Sequence, residues 1–144
     1  MFFGRFEHTV DNKGRLTLPA KYRAVLAPGV LITRGIDRCL YIYPLAEWQE
    51  FAEGIRQLPV TNTDARAFVR LIFAEASDCV PDKQGRVLIP GYVREYANLG
   101  SEVIIVGCQN RLEVWNPQAW REDRSRLEKD PEALAEKLGD LGIL

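Results

Sequence analysis

Asp11-Asn12-Lys13-Gly14-Arg15-Leu16-Thr17-Leu18-Pro19 returns as Asp82-Lys83-Gln84-Gly85-Arg86-Val87-Leu88-Ile89-Pro90, at an offset of 71 residues. Arg23 returns as Arg94 at the same offset. A second block, from Gly35 through Leu40-Tyr41-Ile42-Tyr43 to Trp48, returns as Gly107 through Leu112-Glu113-Val114-Trp115 to Trp120. Its offset is 72, so one loop residue is gained between the blocks. Matching turn, strand and helix-start positions together mean two copies of one supersecondary unit.

Each copy is coherent as local structure. Val10 or Val80 closes a strand, and Asp, two polar residues and Gly then form a tight turn. The Asp side chain bonds its own backbone two residues on, and Gly supplies positive φ, which together signal a hairpin. In the next strand Leu16 and Leu18 share one face, with Arg15 and Thr17 on the other. In the second copy Val87 and Ile89 face inward and Arg86 and Leu88 outward. Leu88 in place of Thr17 predicts a partly covered outer face there.

Pro19 and Pro90 end these strands and suit the first turns of short helices, over 20–26 and 91–98, the second stopped by Gly100. Strands follow near Leu31–Thr33 and Val103–Val106, then a turn, then Leu40–Tyr43 and Leu112–Trp115. Pro44 and Pro117 open helices carrying Trp48 and Trp120, and the tryptophans read as core. Between the copies a helical pattern runs over 62–77 with Asn62 as N-cap. After Trp120 a charged, mostly solvated helix runs on, interrupted by Pro131.

This organisation predicts a mainly β protein with helices (α+β). Unit 1 spans 5–48, connecting helices 49–76, unit 2 spans 77–120 and a helical tail 121–144. A chain of 144 residues, 47% of them hydrophobic, suits two small units sharing one core.

The net charge is −1, yet the charge is polarised. Residues 1–38 carry seven basic and three acidic side chains, a balance of +4, and residues 121–144 carry five basic and seven acidic, a balance of −2. Nucleic acid responds to such local patches more than to the sum. Cys39, Cys79 and Cys108 are odd in number and far apart, which fits free thiols in a reducing cytosol and no metal or disulfide framework. The opening Met-Phe-Phe-Gly-Arg-Phe has only a short apolar run and early charge and reads as neither a signal peptide nor a membrane anchor, and no stretch approaches a membrane span. The expectation is a soluble cytoplasmic protein.

Arg15 and Arg86 are the strongest candidates for chemistry. Each directly follows a turn glycine on the polar face of a short strand. A guanidinium held there can bond O6 and N7 of guanine in the major groove, which admits a two-stranded β-ribbon. Lys13, Lys21 and Arg23 in the first copy, and Lys83 and Arg94 in the second, are placed to hold flanking phosphates. Asp11 with Gly14, and Asp82 with Gly85, shape the turns. A plain salt bridge from each Asp to its Arg accounts for the same residues without DNA. The two roles are compatible, because an Asp that holds one edge of a guanidinium also aims it. Gln84 in place of Lys13, and Leu88 in place of Thr17, leave the first copy better equipped for phosphate.

Enzyme readings are weak. Two related aspartates could share a proton as in aspartic proteases, but Val10 and Asn12 flank Asp11 where such sites use Thr-Gly or Ser-Gly. The adjacent Arg also favours the ionised form. His8 is the only histidine, and its position fits a strand-edge polar residue. No phosphate-binding Gly-rich loop occurs. No catalytic residue, metal, cofactor or small-molecule substrate is expected.

The D-x-x-G-R-[hydrophobic]-x-[hydrophobic]-P pattern resembles the AbrB/SpoVT swapped-hairpin DNA-binding domain, and two copies in one chain of this length resemble the MraZ family. Met1–Phe6, Gly14–Arg23 and Cys39–Trp48 are similar to that family's opening and middle blocks, and the resemblance covers essentially the whole chain. It implies two tandem hairpin units that swap within one chain into a pseudo-dimeric β-barrel, with packing helices. It also implies a closed ring of protomers on the nucleoid. The ring would bind short direct repeats upstream of the protein's own operon for cell division and cell-wall synthesis, and so regulate transcription. The DNA-contacting turns would be Asp11–Arg15 and Asp82–Arg86. Few phosphates are neutralised per hairpin, so protomers on tandem sites about 10 bp apart would gain by effective concentration. An antitoxin-like or scaffold protein-interaction module of the same fold is the alternative. Such antitoxins usually carry one hairpin unit and a disordered tail.

Overall fold

The computed structural model describes residues 1–142, so the last two residues of the expected 121–144 tail lie outside it. The first copy forms β1 (Arg5–Thr9), β2 (Arg15–Thr17), a 3-10 turn (Ala20–Tyr22) running into α1 (Arg23–Leu26), β3 (Val30–Arg34) and β4 (Leu40–Pro44). Helices α2 (Leu45–Arg56) and α3 (Thr63–Ala74) follow. The second copy repeats the order: β5 (Ser77–Cys79), β6 (Arg86–Leu88), α4 (Gly91–Tyr96), β7 (Glu102–Cys108), β8 (Arg111–Trp115), then α5 (Pro117–Lys129) and α6 (Pro131–Gly139).

The copies interleave. Six strands form one antiparallel sheet in the order β1-β7-β8-β4-β3-β5, and β2 pairs with β6 in a separate ribbon. Exchanging each strand for its repeat leaves this order unchanged, so a pseudo-twofold passes between β8 and β4. Register obeys it. Tyr41 sits opposite Glu113, its own repeat, and Leu16 sits opposite Val87, its own repeat. The outer strands cross over as well, β1 against β7 and β5 against β3.

The strands of the expected pseudo-dimeric β-barrel do not form one closed sheet. The large sheet is open, with β1 and β5 at its edges. Among the described residues a single bridge, Val10 to Leu16, links it to the ribbon. Strands of three residues at β2, β5 and β6 are too short to carry a continuous ladder around the molecule.

Alternation in β4 sorts its side chains between two cores. Leu40 and Ile42 face one way, towards Leu16, Leu18, Val87 and Ile89 beneath the ribbon, and all six are buried. Each such side chain contributes about 1.5–3 kcal/mol relative to exposure. Tyr22, Leu26, Val93 and Ala97 bring the short helices to the same core. Cys39, Tyr41, Tyr43 and Trp115 face the other way and meet Trp48, Phe51 and Trp120 from α2 and α5. All three tryptophans therefore pack where core was expected. Helix α3 docks on the sheet through the buried Thr33, whose Oγ1 donates to Ile72 O at 2.8 Å.

Three local expectations change. Helix α4 stops at Tyr96 because Asn98 takes the left-handed cap at φ 51°, so Gly100 is not the stop. The 62–77 helix ends at Ala74 because Ser77 pairs with Ile32. Leu88 is 55% exposed, since the ribbon buries one face and nothing covers the other. His8 lies on the edge strand β1, as read from the sequence. The cysteines are unpaired, and burial pushes the Cys108 thiol up to about 11. Among the described residues no helix is long and apolar enough to cross a membrane.

Candidate nucleic-acid interface

Both hairpin turns are built alike. Asp11 Oδ1 accepts from the backbone N–H of Lys13 at 3.0 Å and of Arg15 at 2.9 Å, and its Oδ2 accepts from Arg15 Nε at 2.6 Å. Asp82 Oδ1 accepts from the N–H of Gln84 and of Arg86, both at 2.9 Å, and its Oδ2 from Arg86 Nε at 2.8 Å. The Gly14 and Gly85 N–H groups close the turns on Asp11 O and Asp82 O. Their φ angles of 84° and 75° lie in the left-handed region that a Cβ disfavours. The Arg15 backbone N–H, then its guanidinium, hold the Asp11 carboxyl below the usual carboxylate range, and Arg86 does the same for Asp82. Backbone N–H groups first, and the adjacent guanidiniums with them, therefore favour the ionised form of both carboxylates, the opposite of a proton-sharing pair.

The salt bridge expected from each Asp to its Arg is present in both turns. Asp takes the Nε edge and leaves the Nη end, with Arg15 and Arg86 side chains 33% and 26% exposed.

Arg23 and Arg94 sit over the turns, but over each other's. A Cβ on Gly14 would stand 2.9 Å from Cζ of Arg94, and one on Gly85 would collide with the Arg23 guanidinium. Their Nε groups donate to the ends of their own preceding strands, Arg23 to Leu18 O at 3.3 Å and Arg94 to Ile89 O at 3.0 Å. The sequence-based grouping of Arg23 with Arg15, and of Arg94 with Arg86, is thus corrected. The cause is the self-paired ribbon. Leu18 N–H bonds Gly85 O at 2.9 Å and Ile89 N–H bonds Gly14 O at 2.8 Å, so each short helix begins beside the other copy's turn. Among the described residues, no Nη of Arg15, Arg23, Arg86 or Arg94 has a hydrogen-bond partner.

The lysines divide. Lys13 and Lys83 are exposed within the turns, and Lys83 shares a cleft of about 270 Å³ with Arg23, Asp82 and Gly85. Lys21 stands apart, its Nζ 3.7 Å from the Phe3 ring centre in a cation–π contact. Burial, and then the positive charge of Arg23, hold the His8 imidazole below its ordinary value. Among the described residues no cluster of His, Cys, Asp or Glu could hold a metal.

The duplication of the chain has a counterpart among known proteins. The family described as "MraZ protein, putative antitoxin-like" matches residues 1–71 and again residues 72–139. The chain belongs to the MraZ family. Its full-length MraZ relatives include proteins named "Transcriptional regulator MraZ" from Moorella thermoacetica, 47% identical over 99% of this chain and all of the relative, and from Caldicellulosiruptor saccharolyticus, 46% identical with the same coverage. One from Pediococcus pentosaceus is likewise 46% identical over 99% of this chain and its own full length.

Sequence reasoning missed one polar cluster of this MraZ chain. Glu113 is buried on β8, takes Arg111 Nη2 at 2.7 Å and Trp115 Nε1 at 3.1 Å, and Arg111 stacks on Tyr41 at 4.4 Å. The repeat puts Tyr41 at the place equivalent to Glu113, so comparison of the copies masked a charge inside the core.

Proposed function

We propose that the protein is a DNA-binding transcriptional regulator that reads base edges with Arg15 and Arg86. The observation that carries the reading is the pair of Asp-aimed guanidiniums on one self-paired ribbon, each flanked by an arginine from the other copy. Arg15, Arg94 and Lys13 form one contact group, and Arg86, Arg23 and Lys83 the other. Asp11, Gly14, Asp82 and Gly85 orient them. Lys21 contributes phosphate attraction from outside the turns. A two-stranded ribbon is one of the elements the major groove admits, and arginine to guanine is its commonest specific contact.

The swapped-hairpin pseudo-dimer is the reading of the interleaved copies, with two halves of one chain in place of two chains. Units over 5–48 and 77–120, joined by 49–76 and followed by the tail, are its organisation. The family resemblance supplies the remainder: a ring of protomers in the cytoplasm, acting at the nucleoid on direct repeats upstream of its own cell-division and cell-wall operon. No enzymatic reaction and no cofactor are proposed.

The test is binding of purified protein to the labelled upstream region of its own gene, against a scrambled duplex, over a salt series. Preferential binding that weakens with salt is expected. Arg15→Ala and Arg86→Ala should each cost about 1–3 kcal/mol of specific binding. Equal, feeble binding to both duplexes would replace the regulator by a protein-partner module, and unchanged affinity in both variants would remove the arginines from the readout.

A further inference from the structure

The two short helices carry the flanking arginines and have little of their own to hold them. Helix α1 has four residues and α4 six, with Leu26 and Val93 the one buried side chain in each. Helices so short have no independent stability, so their direction is set by what they are tied to. Each is tied by a tyrosine hydroxyl that both donates and accepts. Tyr22, immediately before α1, donates to Phe3 O at 2.8 Å and accepts from Phe3 N–H at 3.0 Å. Tyr96, the last residue of α4, donates to Gly35 O at 2.6 Å and accepts from Arg38 N–H at 3.1 Å.

Both ties lead to a turn of the large sheet in the other copy. Gly35 and Arg38 lie in the turn between β3 and β4. Phe3 reaches the turn between β7 and β8 through its neighbour. Phe2 N–H donates to Gln109 O at 2.7 Å, and Gln109 N–H donates to Phe2 O at 2.8 Å. The chain there runs so close to the sheet that a Cβ on Gly107 would collide with the Phe3 backbone. Residues 2–3 thus strap α1 to the second copy, as Tyr96 fastens α4 to the first.

Neither tyrosine belongs to the repeat. Val93 stands at the repeat position of Tyr22, and the exposed Val25 at that of Tyr96. Two unrelated positions therefore supply the same two-way hydroxyl tie to the two helices that carry Arg23 and Arg94. Arg23 directly follows Tyr22, and Arg94 lies two residues before Tyr96. The rings are held separately from the hydroxyls. Tyr22 meets Phe2 edge-on at 4.8 Å, and Tyr96 carries the Arg34 guanidinium on its face at 3.7 Å.

We propose that Tyr22 and Tyr96 are positioning residues for DNA binding, their hydroxyls holding α1 and α4 so that Arg23 stands over the second hairpin turn and Arg94 over the first. This role rests on the DNA-binding reading and supplies what holds its flanking arginines. A helix fixed before DNA arrives spends less of the binding free energy on ordering its arginine.

Fluorescence anisotropy of the full chain on the labelled upstream region of its own gene, over a salt series, tests it. Tyr22→Phe and Tyr96→Phe keep the packed rings and remove only the hydroxyls. Far-ultraviolet circular dichroism at the binding temperature confirms that both are folded. Each should weaken binding about threefold to tenfold, with a shallower salt dependence because a displaced arginine neutralises less phosphate charge. Tyr96→Phe should have no further effect beside Arg94→Ala and its full effect beside Arg23→Ala. Tyr22→Phe should show the reverse. A hydroxyl that serves stability alone would cost the same in both arginine backgrounds. Equal losses in the two backgrounds, or Phe variants that bind like wild type, overturn the positioning role while the regulator stands. A wild-type protein that does not prefer its own upstream region over a scrambled duplex overturns the DNA-binding reading and the positioning role together.

Discussion

Arg15, Arg23, Arg86 and Arg94 each bond through Nε within the protein, and among the described residues their Nη groups have no hydrogen-bond partner. Holding one edge removes side-chain freedom before any ligand arrives, which lowers the entropic cost of binding. The crossed arrangement has a measurable consequence. In a double-mutant cycle on DNA affinity, Arg15→Ala should couple to Arg94→Ala, with which it shares a turn, and add independently with Arg23→Ala. The opposite pattern would restore the grouping by sequence proximity. Acid should also act through these turns. Asp11 and Asp82 are held below the ordinary carboxylate value of about 3.9. Their stabilisation is fully present above that value and is lost as pH falls through the depressed folded values. Carboxyl shifts followed by NMR should therefore stay constant from neutral pH to about 4 and move below it. An Asp11 carboxyl that titrates above 4 would contradict the turn geometry. The Asp-turn-Arg chemistry itself was legible, because it is local and its partners are two to four residues apart. The Arg94 contact with Gly14 was not, because no spacing records which copy's turn a residue will reach.

Strand and helix identity followed from short-range patterns. The alternation in Arg15–Leu18, the prolines opening α2 and α5, and the cap at Asn62 all have local causes. Asn62 Oδ1 accepts from Ala65 N–H at 2.9 Å and caps α3. Asn62→Ala should cost about 1 kcal/mol, read as a lowered denaturant midpoint at constant slope. An unchanged midpoint would mean that docking on β3 holds α3 without its cap. Where element boundaries departed from expectation, a partner was responsible. Ser77 left the helical pattern to pair with Ile32. The outward Leu88 read as covered from its polarity alone, but a side chain's exposure depends on what packs over it, and the ribbon has nothing above it.

The interleaving of the copies predicts how the chain folds. β1, β2, β5 and β6 all pair with strands of the other half. Residues 1–71 and 72–142 made as separate polypeptides should therefore not fold as monomers. Mixed, they should assemble into one cooperative unit, seen as recovered amide dispersion and a single thermal transition. A half that folds alone as a monomer would show that the crossed pairings are dispensable. The sequence by itself determined that there are two units, what each is made of, where the turns fall and which arginines follow them. Those features depend on neighbours within a few residues and on a repeat visible in one line of text. Only the tertiary structure decided that the large sheet stays open, that Arg23 and Arg94 exchange turns, and that Glu113 is buried. Each of these depends on which distant segment arrives to pair or pack, and the same local pattern is compatible with more than one arrival.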